Sequence, residues 1–120
     1  MKHKKIKIIK YSKLLNTTNL SALRSGNISM RGNENGVKGF YITPSGRSYS
    51  SLKPNDIIFV SLKGVFDKKK GKPSSEWRFH RDIYVNKKDA KAIVHAHSTC
   101  ATAVSTHQKH IPAFHYMVAV

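Results

Sequence analysis

The chain has 120 residues, 39% of them hydrophobic and 23% charged, with 22 Lys and Arg against six acids and a net charge of +16. That length allows one domain with a single modest core. The lone Cys100 excludes an internal disulfide, and no run reaches the roughly 18 apolar residues of a membrane-spanning helix, so the expectation is a soluble, cytoplasmic protein.

The positive charge opens nucleic acid as a partner. Its lysines, however, are scattered through KHKK, DKKKGK and NKK, with no interleaved aromatics and no RNP-like or helix-turn-helix pattern. Nucleic-acid binding is therefore not expected. The excess reads as compositional drift that attracts phosphorylated anions.

In chain order, Ile6, Ile9, Leu14 and Leu15 fit helical spacing loosely and predict a helix over residues 6–15. This start is too charged for a secretory signal and too poor in Arg for a transit peptide. From Asn27, NISMR alternates, RGNENG is a loop, and GFYIT is a β-rich run closed by Pro44-Ser45-Gly46, which together predict a hairpin. DIIFVSLKG predicts a further strand, and VFDKKKGKP a polar loop. Pro73-Ser74-Ser75 opens a helix whose Trp77, His80, Ile83 and Tyr84 share one face and whose end is marked by Asn86-Lys87-Lys88. Residues 92–97 predict a short buried strand. Ser98-Thr99 caps a small-residue helix over 100–106, and HQKHIPAF leads into a strand or turn. The closing run IPAFHYMVAV reads as core still running, so a C-terminal truncation is expected. Strands with interposed helices give the α/β class.

His95 and His97 stand two apart in a strand-like run, where alternate side chains share a face, so both imidazoles can reach one ion. Two histidines are half of a zinc site. The same pattern also occurs as polar surface or satisfied core. Glu76, in PSSE at a helix start, lies where free N–H groups and the helix dipole favour anions. Ser74 and Ser75 add hydroxyl donors, which makes a phosphate cradle with a carboxylate beside it. Ordinary N-capping by either serine accounts for the same residues. In Gly26-Asn27 and Ser45-Gly46 a glycine lets the backbone approach a ligand closely, and both pairs read equally well as structural turns. Cys100 reads as a small buried thiol rather than a nucleophile.

In order and spacing, SGNISMR, ITPSG, LKPNDIIFV, KPSSEWRFHRDIY, VHAHSTCATAVS and IPAFHYM resemble the class II aldolases of the aldolase/adducin family, most closely its fuculose-phosphate aldolase branch. The resemblance covers residues 26–120. Residues 1–25 are left as a basic, poorly matched segment, with LNTTNLSALRSGN in place of the family's Gly-rich approach. The resemblance implies a three-layer α/β/α domain around a central, mostly antiparallel sheet, incomplete at the C-terminus, in a homo-tetramer with active sites between subunits. The implied substrate is a phosphorylated ketose, cleaved into dihydroxyacetone phosphate and an aldehyde. Its phosphate would be held by Gly26, Asn27, Ser45, Gly46, Ser74 and Ser75. Zinc would be held by His95 and His97, and by Glu76 in the empty enzyme. Glu76 would then serve as proton donor and acceptor when substrate displaces it. Tyr116 would act across the subunit interface on the aldehyde part, with packing against Met117 and Val118 as its alternative role.

Those residue types suit the chemistry, because breaking the carbon–carbon bond leaves negative charge on the ketone fragment, which zinc offsets as a Lewis acid. A carboxylate beside the metal then returns the proton. The family's third zinc-binding histidine lies well beyond HYM, and this chain ends four residues after Tyr116. None of His3, His80, His107, His110 and His115 replaces it by motif. Substoichiometric zinc and no cleavage of fuculose 1-phosphate by this chain are therefore expected, together with a large exposed apolar surface. Pentulose-phosphate epimerases and methylthioribulose-phosphate dehydratases of the same family use much the same HxH site, and an inactive remnant or adducin-like interaction module would keep only the fold. PSSEWRFH followed by HYM favours the aldolase.

Overall fold

A computed structural model describes residues 2–108, 110 and 112. In chain order it contains α1 (Lys2–Thr17), β1 (Asn27–Glu34), β2 (Val37–Ile42), β3 (Ile58–Ser61), α2 (Trp77–Asn86), β4 (Ala92–His95) and α3 (Thr99–Ser105), with short 3-10 turns between β2 and α2.

The β1–β2 hairpin forms because Asn35 and Gly36 both take the left-handed backbone that a tight antiparallel turn requires, with φ of 51° and 80°. The turn sets the register, pairing Glu34 with Val37 and Ser29 with Ile42. β3 adds antiparallel to β2 and β4 antiparallel to β1, in the order β3-β2-β1-β4. Strand alternation then divides the side chains between the two faces. Ile28 and Tyr41 pack with Ile8 and Leu15 of α1, sealed by Tyr49, Leu52 and Ile57. Phe40, Ile42 and Val60 pack with Tyr84 of α2. The antiparallel sheet thus lies between helices, in the α/β/α layering expected from the sequence.

Three local expectations need correction. First, α1 is 16 residues long, and its buried stripe is Ile8, Ser12 and Leu15. Ile6 and Leu14 are instead 48% and 41% exposed. Ser12 can be buried because its hydroxyl donates to the Ile8 carbonyl at 2.8 Å. Second, β4 is not buried. It is the sheet's edge among the described residues, and Val94 is 59% exposed. Third, Cys100 is exposed, because α3 contributes no residue to either core cluster. Among the described residues no helix is long and apolar enough to cross a membrane.

Arg31 ties β1 to the end of α2 and to the approach to β4. Its guanidinium donates to the Tyr84, Lys87 and Ala90 carbonyls at 2.7, 2.8 and 2.8 Å and lies 4.7 Å over the Tyr84 ring. It therefore satisfies the Tyr84 carbonyl, which the helix C-terminus leaves open, and two carbonyls of the segment that leads to β4. Arg31→Ala is expected to lower stability by about 2 kcal/mol. The change should appear as a lower urea midpoint with an unchanged slope.

Candidate functional site

Asn27 pairs with His95 across the β1–β4 ladder, so the start of β1 lies beside the end of β4. Gly26 permits this contact. Its φ is +80°, and a Cβ there would stand 2.5 Å from the His95 carbonyl oxygen and 2.8 Å from Ser21 Oγ. Only glycine meets both demands. Ser21 also accepts the His97 amide at 2.8 Å, which fixes the turn that follows β4.

His95 closes β4, and His97 lies just beyond it. Their Nε2 atoms are 2.7 Å apart, so one ring donates and the other accepts. Glu76 Oε2 stands 3.6 Å from His95 Nε2. The ligand atoms of Glu76, His95 and His97 all lie within 4.8 Å of one another. Two imidazole nitrogens and a carboxylate oxygen suit a zinc-type ion. Tetrahedral zinc holds its nitrogens roughly 3.3 Å apart, so a small outward shift of the two rings would admit an ion.

Glu76 is the N-cap residue of α2 rather than part of its first turn, and its side chain makes no capping bond. Ser74 Oγ accepts the Glu76 amide at 3.4 Å, a weak form of the expected capping. The two proline-led turns are laced together: Ser74 donates its amide to the Thr43 carbonyl at 2.9 Å, and Ser45 donates to Lys72 at 3.0 Å. Pro44 and Pro73 form a bridge between them. Beneath these turns lies a cavity of about 250 Å³ whose lining includes all six turn residues singled out in the sequence, together with Glu76 and His97. The Gly46 and Ser75 amides make no hydrogen bond among the described residues, which leaves them as donors for an anion.

Sequence reasoning missed several residues here. Arg24 and Arg47 line the cavity, the first donating to the Gly46 carbonyl at 2.9 Å and the second pairing with Asp56 at 2.8 Å. A cation beside each Gly-containing turn was a signal available in the sequence. The Tyr49 hydroxyl donates to the Gly26 carbonyl and, at 3.3 Å, to that of Ser25. Burial, and then the Glu76 carboxylate, push its pKa up to about 12, so it remains a donor. Phe79 contacts two histidines, with ring centroids 4.5 Å from His80 and 5.3 Å from His95.

His80 is fully buried, and its Nε2 bonds Asn27 Oδ1 while the Asn27 amide donates to Glu76 Oε2. Burial, with a smaller contribution from His95, lowers the His80 pKa to about 4 against the opposing pull of Glu76, so the ring is neutral near pH 7. Its position four residues after Glu76, on the same side of α2, was the available clue. Tyr116 and His115 lie outside the described residues. Neither His107 nor His110 joins the three-donor cluster.

The chain matches the family model of the class II aldolase and adducin N-terminal domain over residues 6–120. It is 41% identical over 113 residues to the 5-methylthioribulose-1-phosphate/5-deoxyribulose-1-phosphate aldolase of Rhodospirillum rubrum, covering 94% of this chain and 49% of that protein. It is 43% identical over 95 residues to the L-fuculose phosphate aldolase of Escherichia coli, covering 79% of this chain and 42% of that one. A solved L-fuculose 1-phosphate aldolase superposes with a TM-score of 0.84 at 36% identity, over 98% of this chain and 54% of the other. The chain thus spans about half the length of the curated relatives it matches. With the family match running through α1, the whole sheet, α2 and the three-donor cluster, the chain belongs to the class II aldolase and adducin N-terminal domain family.

Proposed function

We propose that the chain carries the phosphate-binding and proton-transferring half of a zinc-dependent aldehyde-lyase site, which cleaves a ketose 1-phosphate into dihydroxyacetone phosphate and an aldehyde. The observation that supports this best is that one cavity shares Glu76 and His97 with the three-donor cluster and is also lined by the three polar turns and by Arg24 and Arg47. The relatives named above are called aldolases of methylthioribulose, deoxyribulose and fuculose phosphates, which supports a phosphorylated ketose as the substrate class.

In this reading the Ser45 and Ser75 hydroxyls and the Gly46 and Ser75 amides grip the phosphate, and the Arg24 and Arg47 guanidiniums add positive charge around it. His95, His97 and Glu76 hold zinc, which when bound offsets the negative charge that bond cleavage leaves on the ketone fragment. Once substrate displaces it from the metal, Glu76 in its protonated form supplies the proton that the carbon of that fragment takes up, and as the carboxylate removes it in the reverse direction. Tyr116, acting across the interface of a homo-tetramer, exchanges a proton with the oxygen on the aldehyde side of the substrate.

The half-reaction assigned to this chain needs no aldehyde and no Tyr116. Zinc-loaded chain incubated with dihydroxyacetone phosphate in deuterated water should exchange one carbon-bound hydrogen, followed by proton NMR. Glu76→Gln should slow the exchange by about a hundredfold or more. Cleavage of fuculose 1-phosphate by the chain alone should stay at background. Zinc binding without any exchange would instead mark a non-catalytic module that keeps the family fold.

A further inference from the structure

The buried polar groups behind Glu76 form one continuous chain across β1 and α2. Tyr84 Oη lies 2.8 Å from Ser29 Oγ, and Ser29 Oγ lies 2.7 Å from His80 Nδ1. His80 Nε2 bonds Asn27 Oδ1, and Asn27 Nδ2 bonds Glu76 Oε2. Ser29 and His80 are fully buried, Tyr84 is 1% exposed and Asn27 2%, so the links from Tyr84 to Asn27 are shielded from bulk water, while the Asn27–Glu76 bond is part-buried at the edge of the cavity.

The direction of the chain is fixed from the anionic end. An ionised carboxylate only accepts, so the Asn27 amide must turn its N–H toward Glu76 and its carbonyl toward His80. His80 must then carry its hydrogen on Nε2, which leaves Nδ1 bare. Ser29 must donate to Nδ1, and its oxygen is left to accept from Tyr84. The opposite direction would set the Asn27 carbonyl against the Glu76 carboxylate, acceptor against acceptor, and would leave the Tyr84 hydroxyl hydrogen with no acceptor among the described residues. In a buried site each such mismatch costs a full desolvation penalty.

We propose that His80, held by Ser29 and Tyr84 as its Nε2–H tautomer, is a positioning residue that locks the Asn27 amide so that an N–H donor holds Glu76 Oε2 beside His95 and His97. The oxygen held in this way is the one 3.6 Å from His95 Nε2, so the lock aims the carboxylate at the histidine pair. Phe79 contacts both imidazoles, its ring tilted against His80 and His95, and so packs the lock against the ligand pair. The inference rests on the reading of Glu76, His95 and His97 as a metal centre. It adds residues outside that centre, with a tautomer and an amide orientation that can be observed without metal.

Two measurements test it. In the metal-free chain, nitrogen-15 correlation spectra of the His80 ring should show hydrogen on Nε2 and a bare Nδ1, and Ser29→Ala should mix the two tautomers. Zinc affinity should fall by about ten- to a hundredfold in His80→Leu, which removes the donor, and recover most of that loss in His80→Gln, whose amide N–H reaches the Nε2 position. A purely structural role would lower the melting temperature of both variants without separating their zinc affinities. A hydrogen on Nδ1 in the native chain would overturn the proposal, as would a folded His80→Leu chain that binds zinc like the native one. Should His80→Leu fail to fold, Tyr84→Phe and Ser29→Ala carry the same comparison with smaller losses, and unchanged zinc affinity in both would count against the lock. Failure of the native chain to bind zinc, with the Nε2–H tautomer intact, would overturn the metal reading and with it the aiming role.

Discussion

Replacing His95 with alanine is expected to weaken zinc binding by about a hundredfold or more, read by competition with a chromophoric chelator. Zinc sites need at least three protein donors, and this cluster offers three, so losing one nitrogen leaves an incomplete site. A hundredfold loss corresponds to about 2.7 kcal/mol. The same quantity can be read as stability, because a ligand that binds only the folded state adds about 2.7 kcal/mol when present at a hundred times its dissociation constant. At that zinc concentration the native chain should gain this increment in urea unfolding, and the His95→Ala chain should gain almost none. The fold itself should survive, because the His95 side chain is 30% exposed at the end of an edge strand and the core clusters do not include it. Equal zinc affinity in the two chains would remove His95 from the site.

Acid is expected to destabilise the metal-free chain through His80. The ring titrates near 6.5 when unfolded and near 4 when folded, so between these values the unfolded chain binds one more proton. The stability from the neutral buried ring is complete above pH 6.5 and is lost as pH falls toward 4, a change of about 3 kcal/mol. Urea midpoints at a series of pH values should show the decline in the native chain and a shallower one in His80→Gln, which has no ionisable group at that position. Parallel slopes in the two chains would show that His80 is not held neutral.

What was legible in the sequence follows from which forces are local. The hairpin was legible, although Arg31–Glu34, read as loop, continue β1 and only Asn35-Gly36 makes the turn, and α2 was legible because His80 and Tyr84 recur at helical spacing. The two histidines were legible as a pair, but the strand expected over 92–97 ends at His95, so the turn after β4, and not strand alternation, brings the His97 ring to His95. The buried stripe of α1 was not legible: Ser12 belongs to it through a bond to its own helix, while Ile6 and Leu14 face outward. The exposure of β4 and Cys100 depends on what packs against them, which no local pattern encodes. The same holds for the link from His80 to Asn27, which joins residues 53 positions apart through a buried bond. In the sequence His80 resembled a core position, and Asn27 a turn residue offered to phosphate. The structure commits the Asn27 side chain to Glu76 and His80, at the edge of the cavity that the neighbouring turns line.

The central claim is that the three-donor cluster and the cavity lined by the polar turns form one site. Calorimetric titration of the chain with zinc, in the presence and absence of dihydroxyacetone phosphate, tests this without requiring turnover. Binding free energies couple reciprocally, so a ligand that spans both halves must tighten zinc as zinc tightens it. The expected result is a zinc affinity raised about tenfold by dihydroxyacetone phosphate, equivalent to about 1.4 kcal/mol of coupling, with a much smaller effect from inorganic phosphate and none in His97→Ala. Zinc affinity indifferent to dihydroxyacetone phosphate, or raised equally by inorganic phosphate, would contradict it.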